Sequence, residues 1–307
     1  MLIQNVISSD LASEPPLKSR IEKRPVVLLL VDGWGIAPAN ELNALAAAKT
    51  PFFLNSIGEY PVASLKLEKC SSNARYLTIG AGREIIDENF KPEITLSSFL
   101  AKANLKQIKI AETERLAALT YFFNGQEEKK YSGEEWKIIS SHKDQGSTKP
   151  LLALNKTVKE IIKTIENNEE FFDLIVAAIP FLDLIAVKGN FEIVKKAAEI
   201  LDKKLRLIGN AVFKKNGILI ISSASGKAER IFNLETDFID NNLIINSVPL
   251  LIIGEEFKGK TIGLVDPLNN DLSLLQTAGT LADLAPTILQ IMNLDKPSEM
   301  TGKSLLK

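Results

Sequence analysis

Asp32 stands at the end of an apolar run within PVVLLLVDGWGIA, residues 25–37, and is followed by Gly33 and Gly35. A carboxylate between a Val/Leu run and a glycine turn is placed to ligate a divalent cation, and the glycines let the backbone turn tightly around a ligand. An equally simple reading makes Asp32 the cap of a following helix. Other chemistry-bearing side chains are scarce. The chain holds one histidine, His142, and one cysteine, Cys70. It therefore lacks the several imidazoles or thiolates that a catalytic zinc or dinuclear centre draws on. A Ser-His-Asp triad would have to use His142, which lies in SSHKDQGS, a polar stretch that reads as an exposed loop. A lone cysteine excludes an intramolecular disulfide and fits a reducing compartment, so a cytoplasmic location is expected.

The elements that must position Asp32 follow from hydrophobic patterning. Short apolar runs predict strands at Val26–Val31, Gln107–Ala111, Leu119–Phe123, Leu174–Ala178, Ile218–Ile221 and Pro249–Ile253. Helical periodicity marks Thr157–Asn167 and Asn190–Lys215, the latter with Gly217 just beyond its end. Asp283–Met292 reads as a helix opened by an acidic cap, with Pro286 near its start. Strand–helix alternation predicts a mainly parallel α/β sheet covered on both faces, and such sheets carry their chemistry at the strands' carboxyl ends. The 307 residues are 45% hydrophobic and 24% charged, enough for a substantial core. A net charge of −1 gives no basic field for nucleic acid, and no apolar run is long enough to span a membrane. Residues 1–23 read as a loose arm containing Pro15-Pro16, without a secretory pattern, ahead of one domain over residues 24–307.

Seven segments together resemble the cofactor-independent phosphoglycerate mutase family of the alkaline-phosphatase superfamily. They are VVLLLVDGWGIAP, NALAAAKTPF, LTIGAGRE, LKQIKIAETERLAALTYFFNG, FDLIVAAIPFLDLIAVKGN, ILIISSASGKAE and LADLAPTILQIMNLDKPSEMTGKSL, in the family's order from residue 24 onward. The resemblance implies a three-layer α/β/α fold with a mainly parallel, alkaline-phosphatase-like sheet. It also implies departures. The family inserts a second domain, which helps bind and reorient phosphoglycerate, where this chain has only Glu84 to Thr95. The family holds two manganese or similar ions with aspartates, histidines and a nucleophilic serine. By resemblance, Asp32 and Asp183 are retained metal-ligand positions, while Val187 and Leu243 stand where the family has histidines. The family's ADHGNAE becomes Ala224-Ser225-Gly226-Lys227-Ala228-Glu229, without its aspartate and histidine. The nucleophile falls on Ser72, with Ser71 an alternative because the preceding loop is shorter. Arg115 replaces the lysine of the ETEK motif and is the candidate substrate-binding residue, and Ala118 replaces a nearby histidine.

Two carboxylates and a hydroxyl cannot complete two metal shells, so the chemistry expected of two cations on a phosphoryl group is lost. The expectation is a degenerate relative acting as a binding, regulatory or assembly module, with no cofactor and a protein or small anionic ligand as partner. The alternative is a phosphohydrolase or phosphotransferase of altered chemistry, with one weakly bound Mg or Mn at Asp32 and Asp183 and Ser72 as nucleophile. Ordinary readings stand beside these: Ser72 in a plain turn, Arg115 on a surface. Deleting the ions would leave two carboxylates facing one another, which demands a counter-ion. Lys227 and Lys188, at altered motif positions, are the candidate surrogate cations, Lys227 ahead of Lys188, although most lysines simply point to solvent.

Overall fold

Residues 23–140, 149–231, 246–262 and 267–306 are described by a computed structural model of the chain. Eight strands form one sheet: β1 Val26–Val31, β2 Val62–Lys66, β3 Gln107–Glu112, β4 Glu134–Ile139, β5 Leu174–Ile179, β6 Ile218–Ser222, β7 Val248–Ile253 and β8 Thr277–Thr280. Their order is β4-β3-β5-β1-β6-β7-β2-β8. Pairing is parallel from β4 through to β6, antiparallel on both sides of β7, and parallel again between β2 and β8. The Val-, Ile- and Leu-rich β1 and β5 are buried along their whole length, as a strand covered on both faces requires.

The helices are α1 Ala44–Ala47, α2 Pro51–Glu59, α3 Ser72–Ala81, α4 Leu96–Lys102, α5 Lys149–Glu166, α6 Phe181–Ala186, α7 Phe191–Lys214 and α8 Leu284–Ile291. They fall into two packed groups. Helices α1, α2, α5 and α6 gather on α7, whereas α4 and α8 gather on α3. This is the three-layer α/β/α arrangement expected of the fold, with a mainly parallel sheet. No helix among the described residues is long and apolar enough to cross a membrane.

Several elements differ from the sequence expectation. Leu119–Phe123 is not a strand: residues Ala118–Phe122 form a π-helical turn. Its buried residues are Ala118, Leu119 and Thr120, with Phe123 buried just beyond it, and Thr120 Oγ1 donates to Leu116 O at 2.7 Å. The helix expected at Thr157–Asn167 starts earlier, at Lys149. Asp283 stands at the N-cap position of α8 but makes no side-chain capping bond there; its side chain closes a capping box with Thr280, one turn upstream. Gly217 lies just beyond the end of α7 as expected, and the left-handed residue there is Asn216 (φ 49°). The arm through residue 22, His142 and Leu243 lie outside the described residues.

Candidate functional site

Three adjacent strands bring the site together. β1 delivers Asp32 at its carboxyl end, neighbouring β5 leads through Pro180 into α6, which carries Asp183, and β3, next to β5, runs into a tight turn at Thr113–Arg115. On the other flank of β1, β6 leads into the loop carrying Lys227. Asp32 does not cap a helix. Its carboxylate is fully buried and takes donors from three directions: Tyr76 Oη at 2.9 Å, Arg115 Nε at 2.6 Å and the Ala224 backbone N–H at 3.2 Å. Arg115 Nη2 also donates to Asp183 Oδ2 at 2.6 Å, and Lys227 Nζ lies 3.1 Å from Asp183 Oδ1. One guanidinium therefore spans both carboxylates, its planar fork giving one N–H to each.

Close backbone approach explains the glycines. The sequence suggested that Gly33 and Gly35 turn around a ligand; they turn around protein instead. A Cβ on Gly33 (φ +92°) would lie 2.4 Å from the Asp183 backbone nitrogen, and one on Gly35 would overlap the Glu229 carboxylate. Gly33 N donates to Ser225 O at 2.8 Å and accepts at its carbonyl from Ala228 N at 2.9 Å, which zips the Asp32 turn to the Lys227 loop. Glu229 sits between these strands of chain. Burial pushes its carboxyl upward from the usual range, and Asn246 Nδ2 donates to its Oε1 at 3.0 Å. Arg75, 2% exposed, donates to Ala224 O at 3.2 Å and to Glu68 O at 3.1 Å, and so ties α3 to the same loop.

The electrostatics follow from burial and pairing. Burial pushes the Asp32 carboxyl up, and the Arg115 guanidinium opposes that push. Burial likewise drives the Tyr76 phenol well above its ordinary value, so it stays a neutral donor. For Arg115, burial works against the charge, but the surrounding groups together, the Asp32 carboxylate foremost and Asp183 with it, outweigh it and hold the guanidinium protonated.

The remaining candidates are placed less centrally. Ser72 opens α3 and is half-buried; Ser71 is the N-cap, accepting from Ala74 N at 3.1 Å and donating to Glu88. The donors to Asp32 and Asp183 come from Tyr76, Arg115, Lys227 and the backbone rather than from Ser72. Lys188 is exposed beside Val187, itself 62% exposed, and among the described residues it pairs with neither carboxylate. Tyr76 and Arg75 were not anticipated. Tyr76 lies one residue before the LTIGAGRE segment, and a polar-tipped aromatic on a helix opening toward the sheet edge was the available signal.

Glu112, the last residue of β3, sets up a pH prediction. It is 1% exposed, burial pushes its carboxyl up to about 7, and the hydrogen bond from Thr157 Oγ1 at 3.3 Å only partly opposes this. The folded value lies above the unfolded 4.5. Its stabilising contribution is therefore complete below pH 4.5 and is lost as pH rises through about 7. The loss is on the order of 3 kcal/mol, and Glu112→Gln should flatten that part of the profile. Denaturant midpoints of both proteins across this range check it; an unchanged slope in the variant would refute the assignment.

A family model described as the Metalloenzyme superfamily matches residues 24–296. The chain is 35% identical over 221 residues to the 2,3-bisphosphoglycerate-independent phosphoglycerate mutase of Acetivibrio thermocellus, covering 71% of this chain and 40% of that protein. It is 36% identical over 216 residues to the corresponding Anaplasma marginale enzyme, covering 69% and 40%. The chain thus spans about 40% of the length of these relatives. Among solved structures, Leishmania mexicana phosphoglycerate mutase superposes with a TM-score of 0.75 at 11% identity, covering 94% of this chain and 99% of that one. The TAB5 alkaline phosphatase mutant gives 0.59 at 12% identity, covering 89% and 98%. The family match and the sequence similarity agree: the chain belongs to the Metalloenzyme superfamily and is related to the cofactor-independent phosphoglycerate mutases.

Proposed function

We propose that this chain is a member of its superfamily that holds no resident metal and has no phosphoglycerate mutase activity, and that it works as a binding, regulatory or assembly module. The observation that carries this reading is the Arg115 guanidinium, 2.6 Å from a carboxylate oxygen of both Asp32 and Asp183. A divalent ion bound by those two oxygens would have to displace it. Among the described residues no group of three or more His, Cys, Asp or Glu side chains is arranged to hold a metal. The described residues at this site therefore do not fit the superfamily's ions. Phosphoryl transfer draws on positive charge directed at the reacting oxygens. Here that charge is already engaged with the protein's own carboxylates. The module is expected in the cytoplasm, in keeping with its single cysteine, with a protein or a small anionic ligand as partner.

Two measurements on purified protein test this. Interconversion of 2- and 3-phosphoglycerate should be absent with manganese supplied, and elemental analysis should find no stoichiometric divalent metal. Manganese-dependent phosphatase activity that disappears in Ser72→Ala would instead support an enzyme with a reduced metal site.

A further inference from the structure

Buried carboxylates that face one another need a balancing charge, and in this protein two separate elements provide it. Asp32 is 0% and Asp183 16% exposed at the side chain, while Arg115 is 16% exposed. The turn after β3 brings Arg115 across both Oδ2 atoms, and the loop after β6 brings Lys227 onto the remaining oxygen, Asp183 Oδ1. Tyr76 and the Ala224 N–H satisfy what is left of Asp32.

We propose that Arg115, assisted by Lys227, is a built-in counter-ion that replaces a divalent cation, so that Asp32 and Asp183 accept such a cation only once the Arg115 charge is removed. The proposal rests on the reading that the chain holds no resident metal. Three physical points support it. An uncompensated charge in so dry a place is strongly destabilising. The contacts are side-on and simultaneous, which suits a guanidinium fork. Lys227 is the more exposed of the two cations, at 38%, and touches one carboxylate only, so its share is the smaller.

Arg115→Met retains much of the side-chain volume and removes the charge. Its melting temperature should fall by on the order of 10 °C. Millimolar manganese should restore much of that loss in the variant while leaving the wild type unmoved. Arg115→Met/Asp32→Asn should recover stability without any metal, because the second change removes the fully buried charge that lost its partner while Asp183 keeps Lys227. Lys227→Met should fall less, and with Arg115 still across both carboxylates manganese should not restore it. If Arg115→Met does not fold, recovery of folded protein by the double variant is the supporting result, and failure of both overturns the proposal. An Arg115→Met loss that neither manganese nor Asp32→Asn relieves would make Arg115 a packing residue and overturn it too. So would a wild-type melting temperature that rises with manganese as much as the variant's does. Mutase activity in a wild type whose melting temperature ignores manganese would overturn the functional reading alone and leave the counter-ion in place.

Discussion

Lys109→Met is expected to destabilise the protein by about 3–5 kcal/mol, the cost of leaving a buried charge without its partner. Lys109 Nζ lies 2.7 Å from Glu134 Oε1, and both side chains are 0% exposed. Burial pulls the ammonium down to about 8, against the pull of Glu134. Asn124 and Ser97 also bind the ammonium, the latter at 2.8 Å. Removing the cation leaves the Glu134 carboxylate with donors from Asn124 Nδ2 and the Tyr131 N–H but no opposite charge. The double variant Lys109→Met/Glu134→Gln should recover most of the loss, since the introduced side-chain amide can still accept from the Tyr131 N–H and no buried charge remains. Urea unfolding of the two singles and the double measures the coupling. If the double is as unstable as the sum of the singles, the pair is not what holds this region. The stake is functional as well as structural, because Lys109 anchors the middle of β3, the strand whose end launches Glu112 and Arg115.

Gly33→Ala should cost about 2–5 kcal/mol, combining left-handed backbone strain with overpacking. The added Cβ would lie 2.4 Å from Asp183 N and 2.9 Å from Asp183 Cα, and backbone atoms cannot swing aside as the tip of a side chain can. Gly259→Ala is the matched control. That residue also has positive φ (+71°), but nothing lies within 4 Å of its added Cβ. Its cost should therefore be limited to the backbone term, about 1–2 kcal/mol. Equal losses at the two positions would show that the close approach to Asp183 adds nothing. A larger loss at Gly33 accompanied by manganese binding would show that the turn also holds Arg115 in register between the carboxylates.

Much of the fold was legible in the sequence because the central strands carry their own signal. β1, β5, β6 and β7 are continuous apolar runs, and a strand with both faces covered has no need of polar residues. Long α7 was equally plain from its apolar stripe and the Asn190 cap, whose side chain accepts from Ile193 N. Edge strands were not readable. β4, EEWKII, mixes buried and exposed positions, and β8, TAGT, is short and half exposed, so neither offers a clean period. Leu119–Phe123 misled because a short apolar run is the same signal in a buried turn of helix as in a strand.

For the site, the residues together with the family resemblance pointed to Asp32 and Asp183 as retained ligand positions and to family histidines replaced at Val187 and Leu243. They also placed Lys227 in the altered loop. What they could not decide is which strands are neighbours. Arg115 meets Asp183 and Asp32 because β3, β5 and β1 stand side by side, and Lys227 reaches Asp183 because the Asp32 turn is zipped to the loop after β6. Strand order is a property of the packed sheet, chosen by how the helices on both faces fill space, and no local stretch of chain encodes it. A guanidinium read from sequence as a surface or anion-binding group thus becomes, in three dimensions, the charge that joins the buried Asp32 carboxylate to the half-buried Asp183.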